Sequence, residues 1–124
     1  MDHFLKFDPA AAAVETGAPA KEKIRSGRPS YKMWTLEEDG QGLSAGIWEA
    51  TAGEWDVDYS EWEFFHVLSG ISVLTEDGCE PVKLVAGDSF VIRPGFKGRW
   101  RVVETTRKHF VVKQAGTPTG NRGA

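Results

Sequence analysis

Residues 61–100 read EWEFFHVLSGISVLTEDGCEPVKLVAGDSFVIRPGFKGRW. Two apolar runs flank a turn at Glu76-Asp77-Gly78. A second turn follows at Ala86-Gly87-Asp88, then another apolar run, then Arg93-Pro94-Gly95. Strand and turn thus alternate at short, regular spacing, which is the signature of an antiparallel sandwich or barrel. Within the first run, Glu61, Glu63, Phe65 and Val67 share one face and Trp62, Phe64, His66 and Leu68 the other. Both faces carry apolar groups, so both should be covered.

Outward from this stretch the same pattern continues. Upstream, Leu43–Ala52 alternates, with Trp48 opposite Ile47, and EWDVDYS at residues 54–60 alternates again, with Trp55, Val57 and Tyr59 opposite the acids. Tyr31–Leu36 is a further expected strand. Downstream, Trp100–Glu104 and Lys108–Lys113 are expected to pair about a turn at Thr105-Thr106-Arg107. About nine short strands and almost no helix describe an all-β domain. The expected organisation is an extended N-terminal arm over 1–30, a single barrel over 31–113 and a frayed Gly- and Pro-rich tail over 114–124. In the arm, Asp8-Pro9 before an alanine run could start one helical turn, though an extended course fits better.

Composition narrows the function classes. The chain has 124 residues, enough for one sizeable core, and a net charge of -3, which suggests neither a nucleic-acid nor an anionic-membrane partner. No apolar run approaches the roughly 18 residues of a membrane span, and MDHFLKFDPAAAA does not have the layout of a secretory signal. Cys79 is the one cysteine, flanked by acids that disfavour a thiolate nucleophile. A cytoplasmic protein is the expectation. The 5 tryptophans suit a large core or an aromatic-lined pocket.

Glu63, six residues, Gly70, a hairpin, Gly87-Asp88 and Pro94-Gly95 together resemble the cupin family, small jelly-roll barrels also called double-stranded β-helices. The match runs over about residues 45–112. The phrases WDVDYSE at 55–61, TEDG at 75–78, Gly98-Arg99-Trp100 and Arg107-Lys108-His109 are similar to the subfamily that contains ureidoglycine aminohydrolase. That resemblance implies a ureido- or amine-directed aminohydrolase of purine catabolism. It also implies a metal held by a Glu, two His and a Gln, which would fall on Glu63, Val57, Tyr59 and Gly98. Counting one residue further back puts Asp56 and Asp58 at the two His positions. Only Glu63 keeps a ligating side chain in its family place, and a first-row transition metal prefers imidazole. No metal ligand set and no cofactor are therefore expected, with a divalent metal disfavoured.

Glu63 is the best candidate for chemistry. Alternation places it with Phe65 and Val67 toward the interior, where a carboxylate needs a cation or donor and could act as a base or hold an amine or guanidinium. Tyr59, Phe65, Trp48, Trp100 and His109 are the further ligand-binding candidates. Three functions remain open: metal-free small-molecule binding, an aminohydrolase of the ureidoglycine type, and a structural barrel filled by side chains. A homodimer is expected to cover the outer face bearing Trp62, Phe64 and Leu68.

Overall fold

The computed structural model describes residues 3–114. Among these residues nine strands form one hydrogen-bonded sheet: β1 (Glu15–Gly17), β2 (Ile24–Gly27), β3 (Tyr31–Glu38), β4 (Leu43–Ala50), β5 (Gly53–Asp58), β6 (Trp62–Glu76), β7 (Val82–Val85), β8 (Ser89–Ile92) and β9 (Lys97–Lys113). All pairings are antiparallel. No α-helix occurs among the described residues.

The sheet doubles over because β6 and β9 are long and pair with each other along their length. One layer holds β8, the first half of β6, the second half of β9, β4, β3 and β1. The other holds β7, the second half of β6, the first half of β9, β5 and β2. The two layers make a curled jelly roll. Aromatic rings pack part of the space between them: Trp100 of β9 meets Phe65 of β6 at 5.5 Å and Trp48 of β4 at 5.4 Å between ring centroids.

The bend has a visible cause. Along β6 the buried residues are Glu63, Phe65 and Val67, then Ser72 and Leu74, so the inward parity shifts by one. Register irregularities between Val67 and Ser72 produce that shift. Gly70 sits within it at φ +89, and a Cβ there would lie 2.0 Å from the Thr105 carbonyl oxygen. Glycine is required both for the conformation and for the close approach.

β9 differs from expectation. Thr105-Thr106-Arg107 is not a hairpin turn but the middle of one continuous strand. The segment has none of the Gly, Asn or Pro that a tight turn uses, and Thr106 is fully buried. Its hydroxyl donates to the Glu104 carbonyl at 2.8 Å and lies 2.7 Å from Ser72 Oγ, which in turn accepts from Trp100 Nε1 at 3.2 Å. The chain of donors is complete, so a polar group at the bend carries no unsatisfied hydrogen.

In the N-terminal segment, Pro9–Ala11 forms a short 3-10 turn, with Asp8 Oδ1 accepting from Ala10 N at 3.0 Å. Residues 15–17 and 24–27 are strands, edging β3 and β5 respectively. Phe7 stands edge-on to His109 at 5.2 Å between centroids, on the outside of the β4–β9 layer. Apart from Gln114, the expected tail lies outside the described residues.

Candidate functional site

Between the layers lies a cavity of about 390 Å3. Trp48, Trp55, Trp100 and Tyr31 form its aromatic walls, Asp56, Asp58 and Glu61 its acidic border, and Glu63 and Lys108 contribute its buried charges. Residues 18–20 and Lys23 border it from the N-terminal segment.

Glu63 comes from the start of β6 and faces inward because the buried parity of this half-strand is odd. Lys108 faces inward because β9 buries its even positions on both sides of the bend: Trp100 and Val102, then Thr106, Lys108 and Phe110. Lys108 pairs in register with Val67, four residues along β6 from Glu63. That is about 13 Å of strand, so the two long side chains lean toward each other. Lys108 Nζ donates to Glu63 Oε2 at 2.8 Å, and both side chains are almost wholly buried. Taking either charge out of water alone would be costly, and pairing is what makes both tolerable.

The ammonium has a second source of stabilisation. Lys108 Nζ lies 4.7 Å from the Trp48 ring centroid and 4.5 Å from those of Phe65 and Trp100. At these distances each π face attracts the cation. Phe65 is therefore a support behind the ammonium and does not itself border the cavity.

Tyr59 borders the cavity and is held by its backbone. Its N–H donates to Phe96 O at 2.9 Å and its carbonyl accepts from Gly95 N at 2.7 Å. Burial pushes the Tyr59 hydroxyl well above its ordinary pKa of 10.0, and the negative charges of Glu63 and Glu61 push it further. The phenol stays protonated and sits in a field set by carboxylates.

Four of the six expected ligand-binding residues, Glu63, Tyr59, Trp48 and Trp100, meet at this cavity. His109 does not. It faces outward with odd parity, opposite His66 in register, under the Phe7 ring. Burial, and then the neighbouring His66, lowers its pKa from the usual 6.5. Lys108 was not among the expected residues, and it is the cation that meets Glu63.

The residues do not fit the metal that the fold resemblance implies. Among the described residues no group of three His, Cys, Asp or Glu side chains is placed to hold an ion. Asp56 is engaged by Arg25, and Glu63 by Lys108. Gly98 is buried, and a Cβ there would lie 2.0 Å from the Thr75 carbonyl oxygen, so β9 has no room for a ligating side chain at that position.

No curated protein matches the sequence. Among solved structures, the chain is similar to a protein of unknown function from Pseudomonas syringae pv. tomato (TM-score 0.76, 22% identity, 86% of this chain and 46% of that one). It is also similar to the EutQ protein of Clostridium difficile (TM-score 0.62, 21% identity, 70% and 64%). A third likeness is to a putative ethanolamine utilization protein Q of Salmonella typhimurium (TM-score 0.62, 19% identity, 80% and 80%). The chain spans less than half the length of the Pseudomonas protein and just under two thirds of the Clostridium one. At these identities the likeness shows the fold. The family model described as the EutQ-like cupin domain matches residues 36–110, and the chain belongs to that family of cupins.

Proposed function

We propose that this protein binds a small organic molecule in the cavity between its layers, without a transition metal. The observation that carries the reading is the Glu63–Lys108 pair bordering an aromatic-walled space of about 390 Å3. That volume falls in the range of small-molecule sites, which are largely apolar with a few placed polar groups. In this reading the Lys108 ammonium serves as the resident cation beside Glu63, where metal-binding relatives would place an ion. The tryptophan faces supply contact area and exclude water, and the Tyr59 hydroxyl adds one polar handle. A cavity of this size supports ligand binding over a barrel filled by its own side chains.

The resemblance to ureidoglycine aminohydrolase would make the ligand a ureido or amine compound. No metal-dependent hydrolytic step is proposed, because Val57, Tyr59 and Gly98 offer no imidazole beside Glu63. Native mass spectrometry of freshly purified protein, with elemental analysis of the same sample, tests the reading. A retained or added organic ligand at one per chain, with no stoichiometric transition metal, is the expected result. A tightly held stoichiometric metal overturns it, as does a chain that no compound in a broad metabolite set binds or stabilises.

A further inference from the structure

We infer that the cavity takes a small primary amine, bound as its ammonium ion with an N–H donating to Glu63 Oε1. This rests on the ligand-binding reading above and names the chemical class of the ligand.

The first support is an acceptor left without a donor. Glu63 is 5% exposed, and its Oε2 is taken by Lys108. Among the described residues no protein donor reaches Oε1. Buried carboxylate oxygens are normally satisfied, and this residue borders a cavity, so the missing donor is expected from what the cavity holds.

The second support is charge. Of the four carboxylates at the cavity, Asp56 is paired with Arg25 and Glu63 with Lys108. Asp58 and Glu61 form no salt bridge among the described residues. Against these two stands one bordering ammonium outside the pairs, Lys23, and it is exposed. A surplus negative charge around a partly desolvated space favours a cation and opposes a carboxylate ligand. The raised pKa of Tyr59, caused in part by Glu63 and Glu61, reports the same field.

The third support is the wall. Trp48 and Trp100 already hold one ammonium, that of Lys108, at 4.7 and 4.5 Å from their centroids. Trp55, tilted against Trp48 at 6.3 Å, extends this surface. Indole faces attract a second organic cation by the same quadrupole. Glu63 then lies between two ammonium groups, one from the chain and one from the ligand, each carboxylate oxygen accepting from one of them.

Four probes of similar size separate the contributions: butylammonium, butan-1-ol, butyrate and tetramethylammonium, each titrated at low salt against tryptophan fluorescence. Butylammonium is expected to bind at least about tenfold more tightly than butan-1-ol, with butyrate weaker still. Tetramethylammonium, which keeps the charge but has no N–H, is expected to fall below butylammonium. Asp58→Asn with Glu61→Gln, both near the surface, should weaken butylammonium several-fold without changing the thermal midpoint of the free protein. If butan-1-ol or butyrate binds as tightly as butylammonium, the amine assignment fails while the ligand-binding reading stands. Equal binding of tetramethylammonium overturns donation to Oε1. If none of the four binds and the metabolite set also gives no ligand, both readings fail together.

Discussion

Lys108 Nζ and Glu63 Oε2 meet at 2.8 Å inside the domain, four register positions apart on adjacent strands, with three aromatic rings around the ammonium. A buried pair of this kind is weak evidence for net stability, but losing one member strands the other. Glu63→Leu or Lys108→Met alone should each cost about 3–5 kcal/mol, whereas the double variant should recover most of that loss. Urea denaturation of the three variants checks this. Single-variant losses below about 1 kcal/mol would mean that the pair is solvated and its partners separable.

Ser72 is the middle of a buried relay that runs from Trp100 Nε1 through Ser72 Oγ and Thr106 Oγ1 to the Glu104 carbonyl. Ser72→Ala removes the acceptor of a buried indole N–H and the donor to Thr106. The expected cost is about 1–3 kcal/mol, well above the loss of one exposed hydroxyl. Chemical denaturation followed by tryptophan fluorescence measures it. A cost near zero would show that the network is replaced by water.

The strand pattern was readable because turn residues punctuate it: Asp77-Gly78, Gly87-Asp88 and Pro94-Gly95 all fall between strands. The inward placement of Glu63, Phe65 and Trp100 was readable from period-two alternation within single strands. Lys108 was not, for a specific reason. Taking 105–107 as a turn restarts the parity count after Thr106 and leaves the facing of Lys108 and His109 undetermined. One continuous β9 carries even parity from Trp100 to Phe110, which turns Lys108 in and His109 out. The signal that would have settled it is the absence of any turn-forming residue between Trp100 and Lys113. The cavity itself depends on how two layers pack, and alternation says nothing about the gap between them.

Three glycines separate backbone conformation from collision. Gly87 has φ +95 with nothing within 4 Å of where a Cβ would lie, whereas Gly98 needs no unusual φ but would place its Cβ 2.0 Å from Thr75 O. Gly70 combines both conditions, with φ +89 and a 2.0 Å approach to Thr105 O. Gly87→Ala should therefore cost about 1–2 kcal/mol, and Gly98→Ala and Gly70→Ala on the order of 3 kcal/mol or more. Thermal or urea unfolding ranks them. If Gly98→Ala proves as mild as Gly87→Ala, β9 can move away from β6, and a ligating side chain could then be accommodated at that position.

His109 supplies the pH dependence. The outer face of its strand brings it against Phe7 and opposite His66, whose Nδ1 lies 2.7 Å from Ser89 Oγ. Burial, and then His66, holds its pKa below 6.5, so the fold prefers the neutral ring. As pH falls below about 6.5, the unfolded chain takes up the proton first, and stability drops until His109 also protonates in the folded state. Stability at pH 7 carries no such loss. His109→Gln should flatten the slope of unfolding free energy between pH 7 and pH 5 (roughly the span of an ordinary histidine titration). Phe7→Ala should raise the pKa of His109 toward its ordinary value by letting water reach the ring. Histidine ring resonances followed by NMR across that range give both quantities. An unchanged His109 titration in Phe7→Ala would show that Phe7 does not shield the ring, and would leave burial by the sheet itself as the cause of the lowered value.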